Sequence, residues 1–471
     1  MLIERLTAED ALMLWPDALW PQDIGALVIL DGSNLYDRDG RFRLDMVCQA
    51  VAARLHLVPR FRQLLHIPRP DLGGPLWIDA PEFDLNDHVG VNQLPAPADE
   101  AELLLAVEQV RRRRLDRSRP LWEMHFFTGM PEARVALFVR MHHAVADGMA
   151  GVATMARFLD IDRDAAPGRP EPSVPTATPP TEAQLRDDVR QRLRQRRRRV
   201  LSRLAHPMRT VRPLAAAWPA IRELVAQRPL PPTSLDRRVG PARRFVLIRS
   251  RLDLVKKVAH TYGATVNDVL LAVVAGGLRQ LLRSRGEQAD VLRVYVPISL
   301  HQRQSGEARG NLISQMVVAL PVGASDSGLV LRQIAAETAR SKARSHPSLG
   351  WMPHSGLAGR AFLRLVSRQR VNVTTADIPG PPMPLYFAGA RLLEVFPLTQ
   401  LIGKVSIGIA AMSYAGQFNL MVVADGDAYP DIDVFARSVE DELRALSMGA
   451  GVISARADES PRHELAEAGG R

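Results

Sequence analysis

The stretch Met141-His142-His143-Ala144-Val145-Ala146-Asp147-Gly148 constrains this chain more than any other. An unbroken apolar run, Val135 to Val139, precedes it, and Met149 to Leu159, which reads as a helix, follows it. A short apolar run bounded by polar residues reads as a buried strand, and the ends of buried elements are where scaffolds present chemistry. The fold must therefore bury a strand that stops at two adjacent histidines and turns into a helix. Neighbouring strand residues point to opposite faces. One histidine can then reach a reacting atom, while the other packs or holds the backbone. An imidazole with a pKa of about 6.5 takes and returns a proton at neutral pH, which suits general acid–base work. Asp147 is read as capping the free N–H groups of the following helix, and Gly148 as letting the backbone bend. Two consecutive strand residues cannot hold one ion from the same face, and neither HExxH nor paired CxxC occurs, so no metal site is expected.

At 471 residues the chain exceeds one compact core, so two domains are the default. A single cysteine, Cys48, excludes an internal disulfide and is read as a buried thiol on a core helix. The longest apolar run, Val269 to Leu278, is about half a membrane span, and the first ten residues carry acids and lack a signal-peptide core. The expected location is cytoplasmic, peripheral on the inner membrane face or on lipid droplets. The net charge of +10 is concentrated: residues 185–215 hold eleven arginines, from Arg186 to Arg212, against two aspartates. No aromatic residues interleave with them and no nucleic-acid motif accompanies them, so no nucleic-acid partner is expected. A basic amphipathic helix lying on anionic lipid is one reading, and a solvated helix in an arginine-rich chain is the other.

Composition shifts divide the chain. Residues 1–164 alternate strand and helix patterns, with a strand at Ile24–Leu30, helices at Arg43–Leu55 and Ala101–Arg114, and then the strand bearing the histidines. Residues 165–240 form a proline-rich linker and the basic helix. A second domain over 241–455 repeats the alternation, with strands near Leu292–Pro297, Ser314–Leu320, Val371–Thr375 and Val405–Met412, and 456–471 reads as a disordered tail. No GxSxG elbow, Walker A loop or GxGxxG fingerprint is present.

Several separated segments point one way. Pro59-Arg60-Phe61-Arg62-Gln63, Pro120-Leu121-Trp122-Glu123, the HHxxxDG stretch, Val266-Asn267-Asp268-Val269, Gly310-Asn311-Leu312, Pro379-Gly380-Pro381 and Ser413-Tyr414-Ala415-Gly416 resemble the bacterial wax ester synthase/acyl-CoA:diacylglycerol acyltransferase family. That family lies within the CoA-dependent acyltransferases, and the likeness runs from Leu6 to about Leu446. The resemblance implies an α/β fold of mixed α+β sheets, in two chloramphenicol-acetyltransferase-like domains with a tunnel between them. It implies acyl-CoA as a substrate, no cofactor, and diacylglycerol or a long-chain alcohol as acceptor. It makes His143 the general base and leaves His142 as the supporting neighbour, with Asp147 and Gly148 shaping the turn. The base would take the acceptor's hydroxyl proton as its oxygen attacks the thioester, and direct transfer needs no acyl-enzyme.

Pro120, Leu121 and Trp122 are candidates for the tunnel wall, with core packing preferred for the aromatic. Asn267 and Asp268 open an apolar helix, Asp268 as a cap or both as tunnel residues. Arg111 to Arg114, Arg117 and Arg119 either meet CoA phosphates or form a solvated face, the latter preferred. Relatives tend to carry Asn where this chain has Asp377, and Gly-Asn where it has Gly403-Lys404. Both departures fall in the second domain, where they bear on acceptor choice or interdomain fit, and the charge at Asp377 is one route to reduced activity. Two further readings stay open: a related acyltransferase acting on another lipid or a polyketide alcohol, and a weakly active lipid-surface protein.

Overall fold

The computed structural model describes residues 3–146, 148–165, 178–205, 230–299, 313–343 and 371–452. The proline-rich stretch over 166–177, Asp147, and the segment from 453 that includes the expected tail lie outside the described residues.

Two six-stranded sheets form the frame. The first contains β1 (Asp23–Asp31), β4 (Val89–Gln93), β5 (Trp122–Thr128), β6 (Arg134–His142), β11 (Tyr386–Phe387) and β12 (Ala390–Leu398), in the order β11-β12-β1-β6-β5-β4. The second contains β7 (Arg243–Arg251), β8 (Leu292–Ser299), β9 (Ile313–Leu320), β10 (Val373–Pro379), β13 (Ile407–Tyr414) and β14 (Gln417–Asp425), in the order β7-β14-β13-β10-β8-β9. A small ribbon pairs β2 (Gln63–His66) with β3 (Leu76–Asp79). Both large sheets mix parallel and antiparallel pairs: β4 runs parallel to β5, and β10 runs parallel to β13 and β8.

The sheets do not follow the boundary read from the sequence. Residues 386–398 fall in the span 241–455, yet β12 pairs antiparallel with β1, from Gly25 opposite Leu398 to Leu30 opposite Leu392. The reason lies in its side chains. Leu392 and Val395 join the core on one face of the first sheet, and Phe396 and Leu398 join the core on the other. A strand apolar on both faces is satisfied only inside a structure covered on both sides.

The helices are α1 (Ala8–Asp17), α2 (Leu44–Ala52), α3 (Glu100–Arg112), α4 (Gly148–Ala156), α5 (Glu182–Ala205), α6 (Leu252–Thr261), α7 (Val266–Ser284), α8 (Ser327–Ala343) and α9 (Ile432–Gly449). One face of the first sheet packs Val135, Leu137, Val139 and Met141 with Val47 and Val51 of α2. Its other face places Ala136 and Phe138 with Leu103 and Val107 of α3 and with Phe245, Leu247, Met421 and Val423 of the second sheet. The far face of the second sheet is sealed by α7, where Val269 to Ala275 are all buried. Among the described residues no single helix is long and apolar enough to cross a membrane; α6 and α7 together reach that composition but meet at a 94° bend. Cys48, expected in the core, is half-buried on α2 against the first core, because its position sits at the edge of that helix's apolar stripe.

Candidate functional site

Strand β6 alternates without interruption. Val135, Leu137, Val139 and Met141 face the α2 side, while Ala136, Phe138, Arg140 and His142 face the α3 side. His142 is the last strand residue, and His143 opens the turn that leads to α4. The two histidines therefore separate: His142 is 3% exposed, while His143 is half-buried beyond the strand.

Four hydrogen bonds build the turn. The Leu121 carbonyl accepts the His142 N–H at 3.0 Å, and the Gln22 carbonyl accepts the His143 N–H at 2.7 Å. The His142 carbonyl accepts the Val145 N–H at 2.8 Å. The His142 ring reaches forward, with Nδ1 accepting the Ala144 N–H at 3.0 Å. An accepting Nδ1 carries no proton, so a neutral ring holds its proton on Nε2. That nitrogen lies 3.4 Å from Asp17 Oδ1.

Asp17 ends α1 and is itself buried. Its Oδ1 accepts the Gln22 N–H at 3.0 Å, and Arg117 donates to Oδ2 at 2.6 Å. Arg114 donates to the carbonyls of Asp17 and Ala18 at 2.5 and 2.9 Å, which satisfies C-terminal carbonyls of α1 with a cation. Burial pushes the Asp17 carboxyl up, but the His142 ring beside it, the Gln22 N–H and Arg117 outweigh that and hold it well below the usual carboxylate range. Next to this group sits Arg140, 1% exposed, which donates to Glu123 at 2.7 Å, to Asp23 at 3.3 Å and to the carbonyls of Arg111 and Arg113. Burial raises the Glu123 carboxyl, yet the His125 hydrogen bond and Arg140 bring it below its ordinary value. The β1 residue facing Arg140 is Gly25, where a Cβ would stand 1.9 Å from the Val139 carbonyl oxygen; only glycine lets the two strands close there.

A pocket of about 250 Å³ opens on this side, lined by Asp17, Ala18, Pro21, Asp23, Arg114, Leu115, Arg117, Leu121 and His142. Its lining takes in the first histidine and not the second. Among the described residues no group of three His, Cys, Asp or Glu side chains is placed to hold a metal ion.

The other sequence candidates scatter. Pro120 and Leu121 are buried before β5, and Leu121 packs with Leu65, Trp77 and Ala144 beneath the turn. Trp122 is fully buried between Phe61 and His88, with ring centroids at 4.4 and 4.6 Å, and donates Nε1–H to the Phe61 carbonyl at 2.9 Å. It is a core residue on the opposite face from His142. Asp268 is 2% exposed and is not the N-cap of α7. Thr265 takes that place, and Asp268 completes a capping box by accepting the Thr265 N–H at 2.8 Å. Its other oxygen accepts the Thr338 hydroxyl of α8 at 2.7 Å, so the residue ties two helices together. Asn267 is half-buried in the first turn of α7. Gly148 is the first residue of α4, and Asp147 lies outside the described residues.

Of the six arginines near α3, Arg112 and Arg113 are exposed, and the other four bind groups of the chain itself. Arg111 is buried on Glu108 at 2.6 Å, Arg114 and Arg117 hold the end of α1, and Arg119 pairs with Asp87 at 3.0 Å. Asp377 lies on β10 beside Ala411 of β13, half-buried, and burial pushes its carboxyl up to about 6. Lys404 is exposed in the turn before β13. Asp17, Gln22 and Arg140 were not legible as site residues, because their contacts with the histidine turn come from distant elements; Arg117 was read only as a phosphate-binding or surface residue. The polar pair Gln22-Asp23 at the start of β1 is the one local signal, ahead of an apolar strand.

Comparison with known proteins gives the family and the fold. Residues 6–270 match the wax ester synthase/diacylglycerol acyltransferase catalytic domain, and residues 309–447 match the WS/DGAT C-terminal domain. A Mycobacterium tuberculosis chain described as probable diacylglycerol O-acyltransferase tgs1 is 29% identical over 90% of both chains. Another M. tuberculosis chain with a diacylglycerol O-acyltransferase description is 32% identical over 91% of this chain and 92% of its own length. In fold, the chain is similar to the wax ester synthase/diacylglycerol acyltransferase of Marinobacter aquaeolei VT8, with a TM-score of 0.69, 23% identity, and coverage of 95% of this chain and 100% of that one. It is also similar to the first condensation domain of the calcium-dependent antibiotic synthetase, with a TM-score of 0.62, 16% identity, and coverage of 95% and 96%. Two paired mixed sheets, a strand that ends on His142-His143, and matches to both domain models across most of the sequence place this chain in the wax ester synthase/diacylglycerol acyltransferase family of acyltransferases.

Proposed function

We propose that this chain moves a long-chain acyl group from acyl-CoA to the hydroxyl of diacylglycerol, of a long-chain alcohol, or of both, with His143 as general base. The observation that carries the base assignment is the engagement of the other histidine. His142 has Nδ1 on the Ala144 amide and Nε2 3.4 Å from Asp17, so both of its ring nitrogens lie against groups of the chain itself. His143 stands at the first position beyond the strand, half-buried, with its backbone fixed by Gln22.

The chemistry then runs in two proton movements. His143 accepts the acceptor's hydroxyl proton as the oxygen bonds to the thioester carbonyl carbon. The tetrahedral adduct collapses, the C–S bond breaks, and the proton passes from His143 to the CoA sulfur. The ester and free CoA leave, and the imidazole is neutral again. Acyl-CoA is a substrate here, and no cofactor enters. Holding both reactants in line supplies much of the barrier reduction.

The test is a panel of diacylglycerol, hexadecanol and other alcohols with radiolabelled palmitoyl-CoA, resolved by thin-layer chromatography alongside CoA release. Neutral-lipid product that requires an acceptor is expected. Free fatty acid alone, or no turnover with any acceptor, would overturn the reading. A second reading keeps the chemistry and changes the acceptor to another lipid or a polyketide alcohol. The half-buried carboxyl of Asp377, which burial pushes up to about 6, is the observation that favours it. Turnover confined to such an alcohol would select it.

The proposed location is peripheral, on the inner membrane face or on lipid droplets, through α5. Leu185 of this helix packs with Leu72 and Leu76, and Asp188 binds Arg5 at 2.6 Å, which docks its first turns on the β2–β3 ribbon. Arg190, Arg194, Arg196, Arg197 and Arg198 are left exposed; Arg209 and Arg212 lie outside the described residues. A basic residue near an anionic leaflet is worth about 1 kcal/mol. Replacing those five exposed arginines with glutamine should lower partitioning onto phosphatidylserine vesicles by on the order of 10²-fold or more, and leave phosphatidylcholine vesicles unaffected. Undiminished cosedimentation with phosphatidylserine would remove the helix from any membrane role.

A further inference from the structure

The histidine turn is held from a residue more than a hundred positions away in sequence. Asp17 reaches it by two routes. Through its Oδ1 it accepts the Gln22 N–H, and the carbonyl of the same Gln22 accepts the His143 N–H at 2.7 Å. Toward the same oxygen it draws His142 Nε2 at 3.4 Å, and His142 Nδ1 accepts the Ala144 N–H at 3.0 Å. The backbone amides of His143 and Ala144, the first two residues of the turn, are both connected to one carboxylate.

The chemistry of the ring makes the second route directional. Nδ1 can accept the Ala144 amide only when the proton sits on Nε2. A negative charge beside Nε2 favours that tautomer, and the opposite tautomer would set two N–H donors against each other at Ala144. Asp17 is in turn kept charged and in place: it is buried, Arg117 binds its second oxygen at 2.6 Å, and Arg114 grips its carbonyl. Neither arginine is thus available to the motif directly; both act through Asp17.

We propose that Asp17 is a positioning residue for the transfer reaction: it selects the Nε2–H tautomer of His142 and, with Gln22, sets the backbone from which His143 works. This rests on the reading of His143 as base. Asp17 touches no reacting atom, so its removal should act on turnover and not on substrate affinity. A misplacement of a catalytic group by about 1 Å can cost on the order of 10² in rate.

The experiment uses the full chain. Asp17→Asn keeps the shape and removes the charge. It should lower kcat for palmitoyl-CoA with diacylglycerol by about 10- to 100-fold and leave KM within about twofold. Asp17→Glu, which restores the charge, should recover part of the loss. In a His143→Ala background Asp17→Asn should cause no further loss, because groups that act as a unit are not additive. Nitrogen-15 histidine spectra of the unsubstituted protein give an independent readout, with the His142 ring, assigned by His142→Gln, expected as the neutral Nε2–H tautomer. If Asp17→Asn does not fold, that spectrum decides. An Nδ1–H tautomer, an unchanged kcat, or a change confined to KM each overturns the proposal. Full turnover by His143→Ala overturns the base assignment instead, and the tautomer measurement still stands apart from it.

Discussion

Replacing His143 with alanine is expected to lower the rate of CoA release by about 10²- to 10⁴-fold, the usual contribution of a positioned general base. The fold should survive, because the side chain is half-buried at the start of a turn whose amide bonds are made by backbone atoms of Gln22 and by the ring of His142. Far-ultraviolet circular dichroism and the thermal midpoint should therefore stay close to those of the parent, while kcat collapses. His142→Ala should behave differently. It removes the acceptor for the Ala144 amide and the ring that stands 3.4 Å from Asp17, so it should reduce both stability and kcat. A folded His143→Ala protein that turns over at the parental rate would falsify the base assignment.

Trp122→Ala is expected to cost about 3–5 kcal/mol of stability, the range for deleting a large buried aromatic. Its ring is stacked between Phe61 and His88 and its Nε1–H satisfies the Phe61 carbonyl, so the change opens a cavity and strands an acceptor together. Trp122→Phe keeps a stacked ring and loses only the hydrogen bond, which should cost about 1–3 kcal/mol. Urea unfolding followed by circular dichroism measures both. The KM for palmitoyl-CoA should be unchanged in the folded fraction of either variant. A several-fold rise in KM without loss of stability would instead make Trp122 part of a substrate path.

Much of the architecture was legible because apolar periodicity is a local signal. The expected strand at Ile24–Leu30 is β1, the expected helix at Ala101–Arg114 is α3, and the helix after the Asn267-Asp268 pair is α7. Boundaries drifted where pairing, not composition, extends a strand. The strand expected near Val371–Thr375 is β10, which parallel pairing with β13 carries on through Asp377 to Pro379. Hairpin strand β14 and the pair β11–β12 were missed, the last because the partner of β12 lies more than 350 residues upstream and no local pattern announces it. Within the site, the separation of the two histidines followed from strand alternation alone. The cap expected at Asp268 belongs to Thr265, and Asp268 closes the capping box from the third helical position. The anchoring carboxylate was not visible, since Asp17 gains its meaning only when the end of α1 is folded against β6.

The insertion of β12 beside β1 also bears on how the chain comes off the ribosome. Strand β6 is complete once residue 142 has been made, but the neighbour that closes the other side of β1 begins at residue 390. At roughly 5–20 residues per second, that gap lasts on the order of tens of seconds. Throughout it the nascent N-terminal sheet presents the unpaired backbone of an apolar strand, a template for pairing with other chains. Yield in the cell is then set by how well that open flank is shielded until the last fifth of synthesis, and a fragment ending at residue 164 keeps it open for good.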